Sequence, residues 1–245
     1  MEKLKVLHIS ETFIGGVYTH LRQLVKSSES DGSIETYIIY SGEREETNEA
    51  AIDDDFPALT RLIRIDMTRE ISLFRDFKSL YQIAREIRKI QPDVIHLHSS
   101  KAGILGRVAR IFLLRKNALF YSPHGFSFLR TDISRSKKKM YWSIEKSFQT
   151  LFRGKTIACG DTEFEIAQTI SKSALVRNGI DIEEVHQNFS EHRNQILTIG
   201  IVGRITYARN PELFNQIALR FPDFQFIWIG DGELRHQLTA ANIKI

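Results

Sequence analysis

Two arginines just past an apolar run are the side chains of this sequence best suited to hold a diphosphate. In VGRITYARNPE (202–212), Arg204 follows the run directly and Arg209 stands five residues on. Asn210 and Pro211 come next, and proline suits the first turn of a helix. Guanidiniums beside a helix start give phosphate oxygens fixed charge and directed donors. GDGE (230–233) adds another tight turn after the following apolar run, with Gly230, Gly232 and Glu233. Near the start, Gly15 and Gly16 break KVLHISETFIGGVYTHL (5–21) between a strand pattern and a helix pattern. Glycines there let backbone approach a bulky anion. A plain strand-to-helix turn would use them equally well, and the GxGxxG fingerprint is absent.

Histidines mark two further strand ends. His96 and His98 alternate in VIHLHSS (94–100) and so share one face. The expectation is that His96 is part-buried and bonded while His98 reaches the cleft. As a metal pair they lack a third ligand nearby in sequence. His98, Ser99 and Ser100 precede a helix pattern and would form a polar floor. SPHGF (122–126) presents His124 between a proline and a glycine, placed to donate a hydrogen bond or shuttle a proton near neutral pH. In CGDTEFE (159–165), Asp161 or Thr162 reads as a helix cap with Glu165 near the third helical position. That leaves Glu163 to face a substrate. IDDDF (52–56) reads as solvated acidic surface rather than a metal–nucleotide site.

These residues need strands and helices in alternation to carry them. Apolar, β-branched runs at 5–10, 34–40, 62–66, 92–99 and 155–160 read as strands of a parallel sheet, with strand-then-turn segments at 117–125 and 174–181. Amphipathic helices fall between them. The clearest is 72–91, with Leu80, Ile83, Ala84, Ile87 and Ile90 on one side. Residues 41–57 read as an acidic loop. The pattern lapses over 182–194 and restarts at 195 with two strands and two helix starts. The expected organisation is therefore two α/β units in tandem: residues 1–181, a linker at 182–194, and a shorter unit at 195–245. The second unit stops where a third strand would begin, so a fragment or a truncated enzyme is expected.

Composition narrows the class. With 34 Lys and Arg against 30 Asp and Glu, the net charge is +4, too small an excess to imply nucleic acid. The single cysteine, Cys159, excludes an internal disulfide and a cysteine-based zinc site and fits a reducing compartment. No apolar run has signal-peptide or membrane-spanning length. A cytoplasmic protein is expected, peripheral at most on the inner face of the membrane. The basic helix pattern over 135–155, with Tyr141, Trp142 and Phe148 among its lysines, could lie on anionic lipid or be a core helix with a solvated edge.

GGVYTHLRQL, PDVIHLHSSKAG, SPHGF, CGDTEFE, VRNGID, GRITYARNPE and WIGDGE together resemble the retaining, two-Rossmann-domain (GT-B) glycosyltransferases of the family 4 group, in that family's order. The resemblance implies tandem Rossmann-type parallel sheets, the N-terminal one complete and the C-terminal one partial. It implies a nucleotide-diphosphate sugar held between domains as donor, transfer with retention, and no essential metal or cofactor. Gly15 and Gly16 match the glycine loop near the donor phosphates, and His124 the histidine beside the transferred sugar. Arg204 matches the first phosphate-binding residue, and Arg209 stands where the family usually has lysine. Gly230, Gly232 and Glu233 fall on the donor side, and His98, Ser99 and Glu163 on the acceptor side. The acceptor would be a saccharide or a lipid-linked saccharide in envelope synthesis. The family's Glu-x7-Glu motif would lie beyond Ile245, so weak donor binding or inactivity is expected of these 245 residues alone. A GT-B-shaped sugar-nucleotide epimerase and a non-catalytic partner protein are the other readings.

Overall fold

Strand and helix alternate along the chain because apolar runs of strand length are separated by amphipathic runs of helix length. The computed structural model describes residues 2–29, 32–44, 47, 49–56, 60–113, 116–187 and 196–245. They form two units, Met1–Asp181 and Ile182–Ile245.

In the first unit the order is β1 (Leu4–Ser10), α1 (Gly15–Glu29), β2 (Ile34–Tyr40), α2 (Glu49–Asp55), β3 (Arg61–Arg64), α3 (Leu73–Ile90), β4 (Val94–His98), α4 (Ser100–Ala109), β5 (Ala118–Ser122), α5 (Arg135–Phe152), β6 (Lys155–Ala158), α6 (Asp161–Gln168) and β7 (Ser173–Leu175). The seven strands form one sheet in the order β3-β2-β1-β4-β5-β6-β7, every pair parallel. The order reverses between β1 and β4. In an open parallel sheet a ligand crevice lies beyond the strand ends at such a point.

Side chains alternate across this sheet. Leu7 and Ile9 of β1, Ile39 of β2 and Ile95 and Leu97 of β4 face one side, where Ile83 and Ile87 of α3, Ala102 and Leu105 of α4 and Tyr121 close the larger core. Ile38 faces the other side and packs with Phe13, Leu21, Val25, Ile52 and Phe56. Ile52 belongs to α2, so the segment expected to be a loop holds a helix. Its acidic residues include Asp55, which accepts from Tyr18 Oη at 2.7 Å and Arg22 Nη1 at 3.3 Å. The Asp-x-Asp pattern thus lies in a short packed helix, with Asp53 and Asp54 exposed and Asp55 tied to α1.

The second unit contains α7 (Ile182–Gln187), β8 (Thr198–Val202), α8 (Pro211–Arg220), β9 (Gln225–Ile229) and β10 (Ile243–Lys244). Half of the expected linker is therefore helical, and residues 188–194 lie outside the described residues. The sheet runs β10-β9-β8, all parallel and much smaller than the first. A third strand is present, contrary to expectation, with Ile243 against Phe226. The helix expected after GDGE is only a single 3-10 turn, Arg235–Gln237. Phe226, Trp228, Ile205 and Ala218 are buried at the centre of this unit. No helix of the described residues is long and apolar enough to cross a membrane.

Candidate functional site

Beside the apolar cluster on its second face, the first sheet carries a group of imidazoles. Parallel register sets His8 of β1 against His96 of β4, and Ser10 against His98. The even positions of both strands therefore turn their side chains away from the large core. His20 approaches from α1, its ring 5.4 Å from that of His124. His98 is fully buried, with Nε2 3.1 Å from His8 Nδ1 and Nδ1 3.0 Å from His124 Nε2. His96 Nε2 lies 2.9 Å from Ser122 Oγ. The expectation that His98 is the one reaching outward is reversed: it is the middle of a hydrogen-bonded chain.

Burial sets the charge of this group. It lowers His8 and His124 to about 4, with a smaller push from neighbouring His20, and drives His96 and His98 well below the ordinary imidazole range. At neutral pH these rings are uncharged donors and acceptors. That corrects the expectation of a proton shuttle titrating near neutrality. No third ligand lies nearby in sequence, but topology brings distant ones in: His8–His96–His98 and His20–His98–His124 each have ligand atoms within 4.8 Å.

The His124 loop is held in an unusual conformation. His124 has φ +51° and Gly125 φ +96°, so two successive residues have positive φ. Glu163 fixes them: Oε1 accepts from Gly125 N–H at 2.7 Å and Oε2 from Cys159 N–H at 2.8 Å. Glu163 stands at the third helical position of α6, whose cap residue is Gly160 rather than Asp161 or Thr162. Its carboxylate therefore ties α6 to the loop. Ser99, which also has positive φ (75°), precedes α4 without a side-chain capping bond. Replacing Glu163 by Ala removes two charge-assisted acceptors. A loss of about 2 kcal/mol in unfolding free energy is expected, with Glu163→Gln losing less. Urea denaturation checks this, and an unchanged midpoint for the Ala variant would remove Glu163 from the loop's support.

Beyond the ends of β1, β4 and β5 lies a pocket of about 450 Å³. Its polar side has Glu11, Thr12, Ser99, Ser100 and His124; Tyr141, Ile144 and Phe148 of α5 supply an apolar wall. The charges are mostly compensated within it. Arg44 Nη2 binds Glu11 at 2.8 Å and Lys101 Nζ binds Asp76 at 2.7 Å. Glu145, also lining the pocket, is buried and accepts from Tyr121 Oη at 3.1 Å, and burial raises its pKa. A hydroxyl-rich, uncharged ligand suits such a lining. His8, His20 and Glu145 were not singled out in the sequence: the first two depend on strand order, and Glu145 sits in a helix without a motif.

Gly15 begins α1 at φ +53°, a conformation that disfavours any side chain. Neither Gly15 nor Gly16 would place a Cβ within 4 Å of another atom, so the space over this turn is open. Packing does not require Gly16.

In the second unit the two glycine turns cross. A Cβ on Gly230 would fall 2.3 Å from Gly203 O, and one on Gly232 2.4 Å from Ile205 O. Gly203 N–H donates to Ile229 O and Ile205 N–H to Asp231 O, both at 2.9 Å. This lacing holds the segment that presents Arg204 and Arg209, both exposed. Asn210, with φ +49°, caps α8 through Leu213 N–H at 3.3 Å, and Pro211 has no N–H to give. Positive charge at this edge therefore comes from the guanidiniums more than from helix amides. Glu233 is exposed on the turn after Gly232.

Comparison with known proteins agrees with this fold. A protein of Escherichia coli, the UDP-Gal:alpha-D-GlcNAc-diphosphoundecaprenol alpha-1,3-galactosyltransferase, is 30% identical over 203 residues, covering 73% of this chain. The chain spans 52% of that relative's length. Among solved structures, Anabaena HepE in complex with UDP and glucose superposes with a TM-score of 0.70 at 14% identity, over 98% of this chain and 68% of its own. A UDP-N-acetylglucosamine 2-epimerase superposes at 0.61 with 13% identity, over 100% of this chain and 68% of its own. Such distant likeness shows the fold, which transferases and epimerases share. The family follows from sequence: the profile of Glycosyltransferase Family 4 matches residues 14–184, and the chain belongs to glycosyltransferase family 4.

Proposed function

We propose that this chain supplies the acceptor-side unit and the start of the donor-side unit of a retaining glycosyltransferase. The enzyme moves a sugar from a nucleotide-diphosphate sugar to an acceptor hydroxyl. The crossing glycine turns that fix the Arg204–Arg209 segment carry this reading, because a diphosphate leaving group needs cations held in place before charge develops. Arg204 and Arg209 take the diphosphate, with Gly230, Gly232 and Glu233 shaping the same edge. Gly15 and Gly16 leave open backbone for the donor phosphates. His124, neutral and anchored through His98, donates to or accepts from a sugar hydroxyl. His98 and Glu163 act by holding His124 and its loop, and Ser99 lies in the acceptor pocket.

The acceptor is a saccharide or a lipid-linked saccharide of envelope polysaccharide synthesis. The name of the E. coli relative, a galactosyltransferase acting on a diphosphoundecaprenol-linked sugar, supports the lipid-linked form. The reaction belongs on the cytoplasmic side of the membrane. Replacing Arg204 by Ala in an active enzyme that includes this chain is expected to lower the transfer rate at least about tenfold. Transfer of labelled sugar from the nucleotide donor measures this, and a smaller effect would defeat the phosphate role.

A further inference from the structure

Four large, strongly exposed apolar side chains are gathered on one helix. Leu73, Phe74 and Phe77 at the start of α3 are 87%, 84% and 71% exposed, and Tyr81 follows a turn later. At 100° per residue these four share roughly 100° of arc, turned away from the side where Ile83, Ile87 and Ile90 enter the core. Ile111 and Phe112, in the 3-10 turn that follows α4, are also exposed. A groove of about 370 Å³ runs between Phe77, Tyr81 and Phe112, with Arg85 and Arg88 at its edge. An apolar patch of this kind marks an interaction surface.

Its charge says what covers it. Lys78, Arg85 and Arg88 flank the apolar residues, and among the described residues Lys78 and Arg88 have no acidic partner. The acids of α3 are already engaged: Asp76 with Lys101 at 2.7 Å, and Glu86 with Lys89 at 3.7 Å and Arg85 at 3.9 Å. Aromatic and aliphatic side chains beside uncompensated cations match the boundary of an anionic bilayer, where rings sink to headgroup depth and arginines meet phosphates. Ile71, two residues before α3 and itself exposed, lines the pocket that also includes His124.

We infer that the N-terminal half of α3, with Ile111 and Phe112, is the surface by which this protein docks on anionic phospholipid. The basic helix α5 is not that surface. Its Tyr141, Glu145 and Gln149 turn inward, and of its exposed apolar residues Trp142 has Lys146 over its ring at 4.7 Å while Met140 and Leu151 stand three turns apart. Delivery of a lipid-linked acceptor past Ile71 rests on the glycosyltransferase reading; the docking surface does not.

Flotation of the chain with phosphatidylcholine vesicles, with and without phosphatidylglycerol, tests this in the absence of donor and acceptor. Binding is expected to the phosphatidylglycerol vesicles. Phe74→Glu combined with Phe77→Glu should weaken it about tenfold or more without changing the melting temperature. Arg85→Ala and Arg88→Ala should each cost about fivefold on the anionic vesicles alone. Lys137→Ala combined with Lys139→Ala, on α5, should leave binding within about twofold. Wild-type binding by the Phe double variant, loss of binding in the α5 variant, or a protein dimer abolished by the Phe double variant with no vesicle binding would each overturn the inference. Vesicle binding by a chain whose complete enzyme transfers no sugar would leave it standing and defeat the glycosyltransferase reading instead.

Discussion

Acidification from neutral pH toward about pH 4 is expected to unfold the first unit, because its buried imidazoles cannot take protons in place while the unfolded chain can. Burial lowers His8 and His124 from 6.5 to about 4, places His96 and His98 lower still, and lowers His20. Between these values and 6.5 the unfolded state binds more protons than the folded state. Stability is thus fully present above the unfolded value and is lost as pH falls through the folded ones. Each such ring adds up to about 1.4 kcal/mol per pH unit, or about 3 kcal/mol for a ring moved to about 4. Two or three rings together would remove much of the roughly 5–15 kcal/mol that holds a typical domain. Urea midpoints measured from neutral pH down to about pH 4.5 should fall steeply below pH 6.5. A flat profile would mean that the rings open to water before they protonate. His98→Gln should flatten the slope and also lower the neutral-pH stability, since His8 and His124 each lose their partner on it.

The same histidines show where the sequence stops being legible. His96 and His98 could be placed on one strand face because side chains alternate with a period of two. That His8 sits beside His96 depends on β1 lying between β2 and β4, and strand order is a property of the whole sheet. His20 joins them only because α1 packs on that face. Strand-end chemistry was more visible, since a parallel α/β fold leaves few other places for an arginine pair, two glycine turns and a His-Gly loop. Short elements were not visible. In α2 the apolar signal is Ile52 and, just past the helix, Phe56, one turn apart among aspartates, too little to separate helix from loop. β10 pairs only two residues and draws its position from Phe226 and Ile227 rather than from a pattern of its own. Glu163 was assigned to the substrate because a helix-start glutamate looks alike whether it caps, ties a loop or binds. The bonds from Gly125 N–H and Cys159 N–H tie Glu163 to the loop, and neither is visible in the order of side chains.

Replacing Gly230 by Ala is expected to cost the second unit about 3 kcal/mol or more, a large effect for one added methyl. Two costs act at one atom. Gly230 has φ +141°, which side chains rarely adopt, and its new Cβ would meet Gly203 O at 2.3 Å. Gly203 O cannot simply retreat, because it accepts from Trp228 Nε1–H at 2.8 Å, and Trp228 is fully buried against Ile205 and Leu234. Moving the carbonyl breaks that bond, and keeping it leaves the clash. The chain supplies its own reporters. Trp228 lies in the second unit and the exposed Trp142 in the first, and they are the only two tryptophans in the sequence. In a Trp142→Phe background, the Gly230→Ala variant should show Trp228 emission shifted to the red and unfolding at lower urea. In a Trp228→Phe background it should leave Trp142 emission unchanged. Gly15→Ala is the matching control: its φ is also positive, but no atom lies within 4 Å of the new Cβ, so only about 1 kcal/mol of backbone strain is expected. Equal losses for the two variants would mean that φ alone sets the cost. The crossing of the glycine turns would then contribute nothing to holding Arg204 and Arg209. A loss confined to Gly230→Ala, with transfer by the active enzyme falling alongside Trp228 burial, would join the packing of one carbonyl to the placement of both arginines.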